Sequence, residues 1–274
     1  MSEICLFVSG KGGVGKSALS ANLAVLLARK GRSVALIDAD IGLRSQDLLL
    51  GMENSVVFDL VDVARGNCLL SQALLPHPEL PGLCLLPASQ FARCRDLDPR
   101  KLKKILSLLG KEKDFILIDC PAGMERGLRN VLNAGAGEPV LVATPDDLCL
   151  RGAERIVSLV EEKKLSRPRL IVNRLDSEMV YAGGMYSART VSLQLDLPLL
   201  GEIPEDRAFC AAQLRHGLVV DYDCEARRAL RRIAGRLLGE THPFPDYGSR
   251  RPSFFRKHFP RRLKEVKSGR EQRK

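Results

Sequence analysis

Nowhere in the 274 residues does an apolar run approach the roughly 18 needed to cross a bilayer, and Met1-Ser2-Glu3 lacks the basic start of a secretory signal. A cytosolic protein is expected. No two of the eight cysteines stand in Cys-x-x-Cys spacing, which removes the usual paired-thiol metal and redox sites and leaves free, buried thiols as the expectation. Internal repeats are absent, as is any interior linker long enough to divide the chain. What is present suits a folded domain: 45% hydrophobic and 28% charged residues exclude disorder for the bulk of the chain.

The formal charge of +10 invites a nucleic-acid reading, but its distribution argues otherwise. Residues 249–274 hold eleven Lys/Arg against Glu265 and Glu271, whereas the first 248 residues hold 32 basic and 31 acidic side chains. The basicity belongs to a tail.

Short apolar runs recur at Ile4–Val8, Val34–Ile37, Leu83–Leu86, Phe115–Ile118, Val140–Ala143, Leu170–Val172 and Leu199–Ile203. Such runs suit strands covered on both faces. Helix-like segments lie between them: Ser17–Lys30, Pro99–Leu109, Gly152–Lys163 and Glu225–Leu238, three of them followed by glycine. The alternation predicts an α/β domain, a mostly parallel sheet with helices on both faces; the glycine-rich motif after the first run makes that expectation P-loop NTPase-like. After Gly239 the composition turns to Pro243, Pro245, Gly248 and Pro252, so a domain over 1–242 and a linker plus basic tail over 243–274 are expected.

Directly after the first run comes Gly10-Lys11-Gly12-Gly13-Val14-Gly15-Lys16-Ser17, followed by Ala18 and a helix. The pattern G-x-x-x-x-G-K-[ST] turns backbone N–H groups toward an anion, and the helix N-terminus adds positive potential. Lys16 is expected to reach the β- and γ-phosphates, and the Ser17 hydroxyl to ligate Mg²⁺. Lys11 stands too early in the loop to fold back on phosphates that its own loop encloses. A cation so placed is suited to a nucleotide held by a second subunit, in the manner of an arginine finger.

Asp119 ends an apolar strand and reads as the acid that holds the Mg²⁺ hydration shell. Asp38 and Asp40 close the neighbouring strand, at the end where open α/β sheets bind ligands; acids there also serve as helix caps. One of them is expected to orient the attacking water. Asn173 follows the run Leu170–Val172, where an amide can pair with an adenine edge, although Asn is also a common turn residue.

These segments carry a family resemblance. GKGGVGKS is similar to the deviant Walker A loop of the MinD/ParA class of ATPases. The segment Asp38-Ala39-Asp40-Ile41-Gly42-Leu43-Arg44 resembles that family's D-x-D-x-G-L-R switch. Leu86-Pro87-Ala88-Ser89-Gln90, Asp119-Cys120-Pro121-Ala122-Gly123, Thr144-Pro145, Asn173-Arg174 and Gly201-Glu202-Ile203-Pro204-Glu205-Asp206 look like the MinD forms. The resemblance covers about residues 4 to 245.

It implies binding of ATP with Mg²⁺ and hydrolysis in an ATP-bound homodimer. It places Asp40 on the water and Asp38 near the metal, with Asn173, Arg174, Pro204 and Asp206 toward the base. It further implies a role in positioning the division septum, with MinC-like and MinE- or DivIVA/MinJ-type regulators. A ParA-type DNA-partitioning ATPase and a flagellar-number regulator are the rival readings; the near-neutral first 248 residues speak against the former. The latter family carries an extension before its phosphate loop, whereas here the loop opens at Gly10. The departures are Ser45-Gln46-Asp47 for Asn-Leu-Asp, Pro145-Asp146 for Pro-Glu, and Arg151-Gly152 for Arg-Asp. They are expected to bear on the regulator surface and to leave the nucleotide chemistry untouched.

On a helical wheel Phe255, Phe259, Leu263 and Val266 fall within an arc of about 80°, with basic residues elsewhere. This is the pattern of a helix lying in a membrane interface. Pro260 interrupts it. The resemblance also favours a membrane-binding end, so a peripheral location on the inner face of the cell membrane, at an anionic surface, is expected.

Overall fold

Apolar stretches of four to six residues, too short to bury as helices, pair instead as strands. In the computed structural model, which describes residues 2–135, 137–215, 217–245 and Tyr247, the strands are β1 (Glu3–Val8), β2 (Val34–Asp38), β3 (Leu75–Pro76), β4 (Leu83–Leu86), β5 (Phe115–Asp119), β6 (Glu138–Ala143), β7 (Arg169–Leu175) and β8 (Leu199–Pro204). They form one sheet in the order β3-β4-β2-β5-β1-β6-β7-β8. Every pairing is parallel except β3 with β4.

The helices are α1 (Lys16–Arg29), α2 (Gln46–Leu49), α3 (Leu60–Arg65), α4 (Leu70–Ala73), α5 (Pro99–Leu109), α6 (Arg126–Asn133), α7 (Asp147–Glu162), α8 (Ser177–Tyr181), α9 (Ala188–Leu195), α10 (Ala208–Leu214) and α11 (Glu225–Leu237). Strands β2 and β5 are buried at every residue, which requires cover on both faces. The cover comes in pairs, α1 on α11 and α5 on α6, with α7 on α9. Phe7, Leu6, Leu36 and Ile37, all fully buried, belong to a core in which each such side chain contributes about 1.5–3 kcal/mol.

The expected strands are all present, most extended by a residue or more. Strand β3 was not expected: two residues at a sheet edge carry no periodicity, and only pairing with Leu85 and Cys84 defines them. The short helices escaped for the same reason. Helix α7 begins at Asp147 and not at Gly152, because the Asp146 carboxylate caps it by accepting from the Cys149 N–H at 3.0 Å. All eight cysteines are free as expected; five are buried, but Cys210 is exposed.

The composition change after Gly239 does not end the packing. The Arg236 guanidinium stacks 3.8 Å from the Phe244 ring centroid and donates to the carbonyls of His242 and Pro243. The Tyr247 hydroxyl accepts from Arg232. Contacts therefore run past the expected boundary at 242. No helix among the described residues is long and apolar enough to cross a membrane, and the expected tail helix with Phe255, Phe259, Leu263 and Val266 lies outside them.

The chain leaves β1 toward β2 on one side, while β6, β7 and β8 extend the other. Such a divergence opens a crevice at the carboxyl ends of the strands, and the loop between β1 and α1 sits there.

Candidate functional site

Glycine builds this loop for two separate reasons. Gly13 and Gly15 take φ of 76° and 96°, left-handed values that favour glycine, and Gly15 is the N-cap of α1. Gly10 is needed for space, since a Cβ there would stand 2.2 Å from the Gly152 carbonyl carbon. The loop therefore lies backbone against backbone on α7. Above it opens a cleft of about 610 Å³ whose wall includes the whole stretch Gly12–Ala18 together with Asp40, Asn173, Arg174 and Pro204. The size suits a small-molecule cofactor. Gly10 and Lys11, expected among the nucleotide contacts, are not part of that wall.

Beneath the loop a charged cluster is buried. Strands β2 and β5 pair in parallel so that Asp38 stands in register beside Asp119, and neither is exposed to solvent. Lys16, aimed in sequence at phosphates, instead donates to Asp119 Oδ1 at 2.6 Å. The reason is electrostatic: two opposite charges out of water at this distance attract strongly. Burial lowers the Lys16 pKa, but the charge and hydrogen bond of Asp119, together with the nearby Asp40, raise it, and the net shift is upward.

Asp38 stands beside Asp119, and both of its carboxylate oxygens are already engaged. Its Oδ1 accepts from the Asp40 N–H, and its Oδ2 accepts from the N–H groups of Ser45 and Gln46 at 2.8 and 3.0 Å. Both oxygens are thus committed to shaping the switch segment, the capping alternative for an acid at a strand end. Burial first, and then the charge of Asp119, push Asp38 up to about 7 while the three amides pull it down. In an unfolded chain the group titrates near 3.8. Between these values the native state binds the extra proton, so stability falls as pH rises through this window and levels off above it. Melting temperatures of the ligand-free protein at pH 5 and pH 8 should fall more steeply for wild type than for Asp38→Asn; equal slopes would show that another group is responsible.

Asp40 remains at the cleft. It is half-buried, and burial raises its pKa while Lys16 lowers it. Ser17 lies on the cleft wall, and its carbonyl accepts from the Ser20 hydroxyl and the Gln46 amide. Lys11 points outward, half-exposed, with Nζ 3.9 Å from Asp146 Oδ1.

Against the loop itself Asn173 is buried and donates from Nδ2 to the Val14 carbonyl at 2.8 Å, which ties β7 to the loop. Its Oδ1 is buried without a partner, an acceptor suited to an exocyclic amine. Arg174 is exposed and left-handed at φ 60°. Asp206, expected at the base, accepts instead from the N–H groups of Ala208 and Ala226 and is absent from the cleft wall; a carboxylate after a strand finds the starts of α10 and α11 first. Phe209, Gln213 and Leu218 line the cleft without any motif to mark them in sequence.

Two departures from the family pattern fall elsewhere than expected. Gly152 is the residue against which Gly10 packs. Gln46 is fully buried and donates to Asp119 Oδ2 at 2.7 Å. The expectation that these departures concern only a regulator surface is corrected, because the fold brings α2 and α7 against the phosphate loop.

A parallel sheet that diverges at β1, with a glycine-rich phosphate loop, a buried lysine and strand-end aspartates, defines a P-loop nucleotide-binding protein. Residues 5–219 match the CobQ/CobB/MinD/ParA nucleotide binding domain. The septum site-determining protein MinD of Helicobacter pylori is 40% identical over 261 residues, covering 93% of this chain and 97% of that one. The Bacillus subtilis protein of the same name is 39% identical over 247 residues, 89% and 91% of the two chains. Among solved structures, the MinC:MinD cell division protein complex of Aquifex aeolicus superposes with a TM-score of 0.81 at 35% identity, over 90% of this chain and 100% of that chain. The Pyrococcus horikoshii septum site-determining protein complexed with Mg-ADP gives 0.77 at 30% identity, over 86% and 96%. The chain belongs to the MinD family of septum site-determining proteins, nucleotide-binding proteins that act in placing the cell-division site.

Proposed function

We propose that the protein hydrolyses ATP in a homodimer and that the ATP state attaches it to the inner membrane face, where it positions the septum. The observation that carries the reading is the convergence of Lys16, Ser17 and Asp40 on one cleft, with Asp119 bonded to Lys16 directly beneath its wall, on three elements distant in sequence. A serine hydroxyl and a carboxylate are hard oxygen donors of the kind Mg²⁺ accepts when phosphates and water supply the rest. Mg²⁺, when bound, neutralises phosphate charge.

The chain's own groups do the remainder. Backbone N–H groups of Gly12–Ser17 cradle the phosphates, and Lys16 exchanges Asp119 for the β- and γ-phosphates. Asp40 orients a water in line with the γ-phosphorus. The water oxygen bonds to phosphorus as the bond to the bridging oxygen breaks, giving ADP and phosphate, with the water proton leaving to phosphate or solvent. Asn173 Oδ1 accepts from the adenine amine. The Aquifex relative is described as a complex with MinC, and a MinC-like partner is proposed here.

Lys11 supports the dimer reading because it is half-exposed outside its own cleft, beside Asp146. Lys11→Ala should keep monomeric nucleotide binding and lose turnover; turnover at the wild-type rate in a coupled phosphate assay would remove the trans role.

The membrane part rests on the tail sequence. One tail gains up to about 1 kcal/mol per basic residue at an anionic surface, plus about 1.5–3 kcal/mol per buried apolar side chain, against the ordering of its backbone. That is marginal for one tail. Two tails on one dimer make the second insertion intramolecular, raising avidity by roughly 10² to 10⁴. Wild type should pellet with anionic liposomes in ATP and not in ADP, and Phe259→Glu should lose pelleting while keeping lipid-free ATPase activity. If Phe259→Glu pellets like wild type and high salt releases both, the tail binds polyanions electrostatically and the inserted-helix reading fails.

A further inference from the structure

Gln46 is a polar side chain where the family resemblance expects leucine, and it is wholly enclosed. Its Nε2 is surrounded by three acceptors: Asp119 Oδ2 at 2.7 Å, Ser20 Oγ at 3.0 Å and the Ser17 carbonyl at 3.1 Å. A carboxylate and a carbonyl accept only, so the amide must present its NH₂ on this side. Its Oε1 is buried without a partner, which makes the residue unfavourable as mere filling. Through its backbone N–H the same residue donates to Asp38 Oδ2. One neutral residue thus brackets two carboxylates that the sheet register holds side by side.

The consequence lies in how Asp119 is shared. Its Oδ1 is held by Lys16 and its Oδ2 by Gln46. When phosphates draw Lys16 away, Oδ1 is released while the Gln46 bond still fixes the plane of the carboxylate. Gln46 also stands at the start of α2, directly after the switch segment, and touches the Ser17 backbone. We propose that Gln46 is a positioning residue for the metal side of the site: it orients Asp119 for Mg²⁺ and links the metal's presence to the segment 40–46. Outer-shell partners of this kind govern metal affinity by about 10- to 100-fold. The inference rests on the reading of Asp119 as the metal-side acid.

The test is equilibrium binding of a fluorescent ADP to the full chain, in EDTA and across a Mg²⁺ titration, for wild type, Gln46→Leu and Gln46→Met. Leucine is the residue the resemblance expects there, and methionine keeps the unbranched length without a donor, so both variants should fold. The expected result is unchanged ADP affinity in EDTA and a half-saturating Mg²⁺ concentration raised about tenfold in both variants. Amide hydrogen exchange in residues 40–50 should slow on adding Mg²⁺ to the ADP complex of wild type, and the change should be lost in the variants. Equal Mg²⁺ titrations for wild type and variants would overturn the proposal. So would a loss of ADP affinity in EDTA as large as the loss in Mg²⁺, which marks a structural role only. A wild type whose ADP affinity ignores Mg²⁺ would overturn the metal-side reading of Asp119 together with the inference built on it.

Discussion

Lys16→Ala should lose ATP binding and ATP-dependent dimerisation, and the empty protein should also melt lower. The first effect follows from the loop: Lys16 is the lysine on the cleft wall at the phosphate end. The second is visible only in the fold. Lys16 and Asp119 are both buried, 2.6 Å apart, and Asp38 stands in register beside Asp119. Removing the cation leaves two adjacent carboxylates in a site from which water is excluded. Breaking a buried pair in this way costs about 3–5 kcal/mol, which corresponds to a fall of roughly 10 °C in Tm for a chain of this size. Adding Asp119→Asn to Lys16→Ala should recover much of the Tm, because the unpaired charge is gone, while ATP binding stays lost. Calorimetry and nucleotide titration on the two variants check both halves. Wild-type ATP affinity in Lys16→Ala would refute the nucleotide assignment, and an unchanged Tm would refute the electrostatic account of the cluster.

Asp40→Ala should bind MgATP and dimerise, yet turn over about 10²-fold or more slowly, the scale for losing the alignment of an attacking group. The switch segment should keep its shape in this variant, since Asp40 enters the Asp38 network through its backbone N–H and not its side chain. Ser17 and Asp119 are likewise left in place. The variant should accumulate as an ATP-bound dimer, retained on anionic liposomes under conditions where wild type is released after hydrolysis. Single-turnover phosphate release, compared with equilibrium binding of a non-hydrolysable analogue, separates the two steps. A variant that no longer binds nucleotide would move Asp40 from the water to the metal or to the fold.

The strands, the phosphate loop and the strand-end acids could be read along the chain because each is a contiguous signal. An apolar run reports burial on both faces, and Gly10–Ser17 carries its chemistry within eight residues. Four helices were legible from their periodicity, three of them with a glycine stop, and the concentration of charge in residues 249–274 from counting alone. These features hold whatever the rest of the chain does. The partnerships inside the cleft are of another kind. Gln46 meets Asp119 across 73 residues and Asn173 meets Val14 across 159, so no local pattern announces either one. Sequence distinguished Asp38 from Asp40 only through resemblance; the fold separates them because the Asp40, Ser45 and Gln46 amides turn inward onto Asp38. Asp206 looked like a base contact until α10 and α11 supplied it with two N–H donors. Gly152 looked like a surface change until α7 packed on the loop at Gly10. The sequence determined which chemistry the chain carries, since residue type and local spacing suffice to define a phosphate loop. Only the tertiary structure decided which polar atom each side chain satisfies, because a buried donor or acceptor takes the partner that packing brings to it, however far away in the chain that partner lies.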